Sequence, residues 1–148
     1  MGPSTVGAVT GAPPIVFLDA NVLFSMALGG PVFELVLELG DGPVRLITSV
    51  RCKAEAELNL ERKHPGSSPR LAEVLARVEV LPWSGEPDPS AIALVGEGDA
   101  HVLGAALGLG AAMLVTGDVR DFGSLMERDD LGIKVRSPRS FLLEGPPA

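Results

Sequence analysis

Apolar residues along the 148-residue chain fall into two patterns. The short runs Ile15–Leu18, Val44–Thr48, Val78–Leu81 and Ala112–Thr116 read as β-strands, with a weaker fifth at Gly132–Val135. The first and fourth are almost continuously apolar, as in parallel strands buried on both faces. Between the runs, apolar positions recur at helical spacing. Pro31 opens a helix with Val32, Leu35, Val36 and Leu39 apolar, and Gly40 closes it. Further helices are predicted over Val50–Lys63, stopped by His64-Pro65, over Pro69–Arg77, and over Asp99–Leu109, stopped by Gly110. Ser137 and Pro138 supply the N-cap and first position of a C-terminal helix. Asp19 and Asp118 also precede helical segments.

Strand alternating with helix implies crossover connections, a parallel sheet and helices on both faces. The predicted fold is α/β: a three-layer α/β/α sandwich around a central, mostly parallel sheet. Residues 1–14 are small, uncharged and rich in Gly and Pro, and are expected to form a disordered leader. Residues 15–148 are expected to form one domain. The stretch 82–90 holds three prolines and reads as a loop within it.

Composition narrows the class. Hydrophobic residues make up 46% and mean hydropathy is +0.31, which excludes a disordered chain. The uncharged run Val102–Gly117 holds four glycines and falls short of the ~20 apolar residues of a membrane span. The first basic residue is Arg45, which fits neither a secretory nor a transit leader. A single cysteine, Cys52, suits a reducing cytoplasm, and cytoplasmic location with no membrane association is the expectation. Aromatics are 4% with no tyrosine, so a base-stacking platform is not expected. The net charge of −7 opposes nucleic-acid binding by bulk charge. That argument weakens if several acids share one cation, so their placement matters.

In parallel α/β sheets ligands bind beyond the carboxyl ends of the strands. Asp19 follows Ile15–Leu18 and Asp118 follows Met113–Gly117, so both project from that edge. Either alone could be a helix N-cap; two on one edge suggest a shared site. Asp99 stands at the start of an apolar helix and Glu97 is its competitor. On the helix after the second strand, Glu55 and Glu57 point about 200° apart, so only one faces the edge, and periodicity does not say which. Three or four carboxylates with few histidines suit Mg²⁺ or Mn²⁺. Such a site favours phosphodiester hydrolysis, by activating water and offsetting transition-state charge.

These residues resemble PIN-domain proteins, metal-dependent nucleases that include ribonuclease toxins of the VapC type. The resemblance spans about Ile15 to Leu142 and is carried by four blocks: Ile15–Leu23 with Asp19; Leu46–Ser49 followed by Glu55-Ala56 and Asn59-Leu60; Gly98–Ala106 with Asp99; and Leu114–Asp118 with Asp121-Phe122-Gly123. It implies that Glu55 rather than Glu57 serves the site. It implies that Asp19, Glu55, Asp99 and Asp118 hold Mg²⁺ or Mn²⁺ or its water, with Asp121 accessory. Asn21 and Thr116 would orient the acids. The implied activity is hydrolysis of RNA by a metal-activated water, as in the toxin of a toxin–antitoxin pair. An antitoxin protein and a homodimer or larger homo-oligomer are the expected partners. Arg51, Lys53 and Arg120 are expected to contact RNA; Arg62, Lys63 and Arg70 are further basic residues available to it.

Three other readings compete. A catalytically weak PIN fold could serve only binding or oligomerisation, through the apolar helix 31–39 and the 82–90 loop. A haloacid-dehalogenase-type phosphatase needs a second acid where Asn21 stands, and an amide is no general acid. A dinucleotide enzyme needs a glycine-rich turn where Asp19-Ala20-Asn21 stands. His101 lies about 200° from Asp99 and reads as a packing or surface residue. Cys52 reads as a buried small hydrophobe, Trp83 as a loop anchor, and His64 as a helix C-terminal residue.

Overall fold

The computed structural model describes residues 12–83 and 89–147. Most of the expected leader, residues 1–11, and the middle of the expected loop, residues 84–88, therefore lie outside the described residues. The strands are β1 (Ile15–Leu18), β2 (Arg45–Ser49), β3 (Glu79–Leu81), β4 (Met113–Val115) and β5 (Lys134–Arg136). The helices are α1 (Ala20–Leu28), α2 (Pro31–Leu39), α3 (Val50–Lys63), α4 (Ser68–Leu75), α5 (Pro89–Val95), α6 (Glu97–Gly108), α7 (Val119–Phe122) and α8 (Pro138–Glu144). Short 3₁₀ turns at Pro65–Ser67 and Gly123–Leu125 join their neighbours.

The five strands form one parallel sheet in the order β3-β2-β1-β4-β5, flanked by the eight helices. The α/β/α sandwich predicted from the pattern is the fold observed. Strand order runs outward from β1 in one direction through β2 and β3, then resumes on its other side with β4. The boundary between β1 and β4 is thus a topological switch point, where a crevice opens beyond the strand ends. Val16, Phe17 and Leu18 of β1 pair with Met113, Leu114 and Val115 of β4, and this register places Asp19 level with Thr116.

Burial drives this arrangement. Phe17, Leu18, Ile47, Leu114 and Val115 are fully buried, each removing about 1.5–3 kcal/mol worth of side chain from water. Helix α1 packs on α3 and α4, α2 packs on α8, and α5 packs on α6. Ser49 caps α3 by accepting from Cys52 N, and Ser137 caps α8 by accepting from Ser140 N. Thr48 Oγ1 donates to Leu18 O at 2.8 Å, tying the ends of β2 and β1 together under the crevice.

Two expectations shift. Helix α5 begins at Pro89, within the stretch read as a loop, because proline is well suited to a first helical turn and Ala91–Val95 supplies an apolar face. Helix α6 begins at Glu97 rather than Asp99. Its N-cap is Gly96, whose φ of +84° favours glycine, so Asp99 lies inside the first turn and is free of the capping role. No single helix among the described residues is long and apolar enough to cross a membrane.

Candidate functional site

Asp19 is the first residue beyond β1 and the N-cap of α1. Its backbone N–H donates to Val115 O at 3.0 Å, extending the β1–β4 ladder to the carboxylate itself. Oδ1 accepts from Ala20 N at 2.7 Å, while Oδ2 accepts from Thr116 Oγ1 at 2.8 Å and from Asn21 Nδ2 at 3.2 Å. The side chain is buried, and that burial raises its pKa against the opposing pull of the Thr116 and Ala20 hydrogen bonds.

Thr116 is fully buried and fully used. Its one proton goes to Asp19, and its oxygen accepts from Asp118 N at 3.1 Å and Asn21 Nδ2 at 3.3 Å. Asn21 Oδ1 accepts in turn from Gly117 N at 2.8 Å. A Cβ at Gly117 would stand 3.3 Å from that oxygen, a tight contact. Asn21 and Thr116 thus make the contacts that orienting residues would need.

Asp118 caps α7, with Oδ1 accepting from Asp121 N at 3.0 Å. Asp99, from the first turn of α6, meets it across the crevice. Asp99, Asp118 and Asp121 each bring a carboxylate oxygen to within 4.8 Å of the other two. Burial, then hydrogen bonding to Asp121 and the charges of Asp121, Asp118 and Asp19, push the pKa of Asp99 up to about 7. Capping and site readings are therefore compatible: Asp19 and Asp118 cap their helices and still face the shared crevice.

Glu55 faces a cavity of about 260 Å³ whose walls include Asp19, Asn21, Phe24, Asn59, Lys63 and Asp99. Glu57 is exposed on the other side of α3 and pairs with Lys53 at 3.7 Å. Of the two, Glu55 lines this cavity and Glu57 does not. His101 Nε2 lies 3.1 Å from Glu55 Oε1. The ring is buried, and burial and then the Arg51 charge lower its pKa.

His101 was expected to pack or to face solvent, and it packs. What helical spacing missed is its partner. Pointing away from Asp99 on α6 turns it toward α3, which lies on that side. Only the register between two helices distant in sequence reveals the contact.

The sequence-predicted cations are dispersed. Arg51 is exposed with Nε 3.8 Å from Glu55 Oε1, Lys53 is turned to Glu57, and Arg120 is exposed on α7. Lys63, grouped at first with the general basic surface, lines the acid cavity. Its signal was visible as spacing: Glu55, Asn59 and Lys63 are i, i+4 and i+8 on α3. Cys52 is fully buried and its thiol is pushed up to about 11, as suits an inert packing residue. Trp83 is 36% exposed, with its ring against Gly108.

The donor set at the crevice is all oxygen. Three converging carboxylates with a fourth beside them fit a hard divalent cation, and the raised Asp99 pKa is what such a cluster shows without a counter-charge.

Several solved structures share this architecture. A chain of VapBC2 from Rickettsia felis, in a crystal structure bound to a DNA fragment from its promoter, superposes with a TM-score of 0.63 at 18% identity, covering 83% of this chain and 98% of that one. A chain from a toxin–antitoxin complex of Klebsiella pneumoniae gives a TM-score of 0.58 at 21% identity, covering 83% and 97%. A chain of VapBC-1 from nontypeable Haemophilus influenzae gives 0.54 at 20% identity, covering 84% and 98%. No curated protein matches by sequence. The PIN domain family model matches residues 15–120, which include Asp19, Glu55, Asp99 and Asp118, while Asp121 lies just beyond the match. The chain belongs to the PIN-domain family.

Proposed function

We propose that the chain is a divalent-metal-dependent endoribonuclease of the VapC toxin type, hydrolysing RNA phosphodiesters. The observation that carries this reading is the convergence of Asp99, Asp118 and Asp121 at the switch point, with Asp19 and Glu55 sharing a cavity with Asp99. Asp19, Asp99 and Asp118 would hold Mg²⁺ or Mn²⁺, with Asp121 supporting them. A bound divalent cation supplies Lewis acidity toward water and toward a phosphate oxygen.

The remaining work falls to the chain itself. Thr116 and Asn21 fix both the position and the lone-pair direction of Asp19 Oδ2. His101 fixes Glu55 at the opposite wall, where its carboxylate can accept a proton from an attacking water. Asp99 holds a proton near neutral pH while the acids face each other alone, and releases it when positive charge enters the cluster. An antitoxin protein as partner is part of the same reading, supported by the toxin–antitoxin complexes in which the structural neighbours were solved. So is self-association, for which the exposed apolar Leu35 of α2 offers a contact.

The test is cleavage of labelled single-stranded RNA and DNA with Mg²⁺, Mn²⁺ or EDTA, beside Asp19→Asn and Asp99→Asn. Metal-dependent RNA cleavage lost in both variants is the expected result. Cleavage that persists in both, or none by the wild-type chain on a broad RNA set, would remove the nuclease assignment and favour a binding module.

A further inference from the structure

The cavity beside the carboxylates has an opposite end. Glu55, Asn59 and Lys63 follow one another along one face of α3, spaced four residues apart, so the stripe runs about 12 Å from acid to base. All three line the cavity that also contains Asp19 and Asp99. Phe24 of α1 forms the floor under the far end, with the Lys63 ammonium 5.9 Å from its ring centre and the His64 ring edge-on to it at 5.9 Å.

Charge bookkeeping singles out this lysine. The chain has twelve Lys and Arg residues. Among the described residues, Arg45, Arg51, Lys53, Arg70, Arg77, Arg128, Lys134 and Arg136 each lie within 4 Å of a carboxylate. Arg62, Lys63, Arg120 and Arg139 show no such pairing there, and of these four only Lys63 lines the acid cavity. Its position in the last turn of α3 also suits the helix dipole, but a dipole contact alone would not require it to face the cavity rather than solvent. A polyanion approaching a net charge of −7 through a carboxylate-lined mouth meets repulsion unless a cation stands beside the path.

We propose that Lys63, with the Asn59 amide beside it, forms a phosphate subsite that holds the phosphodiester neighbouring the one at the carboxylates, in a single-stranded nucleic acid. The inference rests on the ribonuclease reading for the identity of the reacting phosphate, but not for binding. The subsite reads phosphate charge, so it takes RNA and DNA strands alike and makes affinity depend on strand length beyond a dinucleotide.

The experiment is fluorescence anisotropy of labelled single-stranded RNA and DNA oligonucleotides on the full chain in EDTA, across a KCl series, for wild type, Lys63→Ala, Lys63→Arg and Arg45→Ala. Lys63→Ala is expected to weaken binding of both strands roughly three- to tenfold at low salt. It should also flatten the slope of log affinity against log salt by about 0.7, the loss of one phosphate contact on a single strand. Lys63→Arg should restore both quantities, and Arg45→Ala, whose side chain pairs with Glu79 at the opposite end of the sheet from the cavity, should change neither. Unchanged affinity and slope in Lys63→Ala would overturn the proposal, as would failure of the wild-type chain to bind either strand. A loss confined to RNA would also overturn it, by assigning Lys63 to the ribose hydroxyl. Lysine-dependent binding without any metal-dependent cleavage would leave the subsite standing and sink the nuclease reading alone.

Discussion

Thr116 donates its hydroxyl to Asp19 Oδ2 at 2.8 Å across 97 residues of chain, and accepts the backbone N–H of Asp118 at 3.1 Å. One buried side chain therefore couples the acid at the end of β1 to the acid at the end of β4. Replacing it by the isosteric valine leaves the cavity filled but strips Asp19 of a donor and Asp118 N–H of an acceptor. Thr116→Val is expected to destabilise the fold by about 1–3 kcal/mol in urea unfolding. Thr116→Ser, which keeps the hydroxyl, should lie closer to wild type. Equal stability of Val and wild type would show that water replaces the hydroxyl without cost.

Asp99 sets a pH dependence. Its pKa in the folded chain, about 7, lies above the ordinary 3.8, so the native state binds this proton more tightly than the unfolded state between those values. Stability from this group is therefore highest at acid pH and falls as pH rises through that window. Asp99→Asn removes the titration. Its thermal midpoint relative to wild type should rise between about pH 5 and about pH 8, measured in EDTA. A difference that is flat with pH would place the proton elsewhere.

Much of this was legible in the sequence, and the reasons differ by level. The apolar runs at Ile15–Leu18 and Ala112–Thr116 announce central strands because both faces are covered. The cap Ser137 and the stop at His64-Pro65 fixed helix ends, since capping is local chemistry. Asp19 and Asp118 could be placed on one edge because Asp19 directly follows a strand and Asp118 lies three residues beyond the end of another. Residues whose role depends on packing between distant helices were not legible: His101 gained its neighbour Glu55 from the docking of α6 against α3. Lys63 shares a helix face with Glu55 and Asn59 by spacing, but which basic residues are taken up by other acids was visible only in the structure. Helix α5 was hidden by prolines that punctuate loops and start helices equally well.

The acid cluster predicts its response to metal. Four carboxylates facing one crevice repel one another until a cation enters. Mg²⁺ or Mn²⁺ should raise the thermal midpoint in a concentration-dependent way, and EDTA should reverse it. The rise should be larger at about pH 8 than at about pH 5.5, where protons compete for Asp99. Asp118→Asn should reduce the shift. A metal response identical in wild type and Asp118→Asn would locate the cation outside this cluster.

His101 predicts a separation of activity from stability. Its Nε2 lies 3.1 Å from Glu55 Oε1, and without that contact the carboxylate is expected to turn to Arg51, whose Nε lies 3.8 Å from the same oxygen. His101→Ala opens a cavity as well as removing the donor, so a loss of activity in that variant has two explanations. His101→Gln resolves them, because its amide can donate from a similar position. In metal-dependent RNA cleavage, His101→Ala should lower kcat at least tenfold, equivalent to about 1.4 kcal/mol in the barrier. His101→Gln should recover most of that rate even where its thermal midpoint stays below wild type. Recovery of stability without recovery of kcat would show that Glu55 needs the imidazole itself, and full activity in His101→Ala would show that Glu55 is placed by α3 alone.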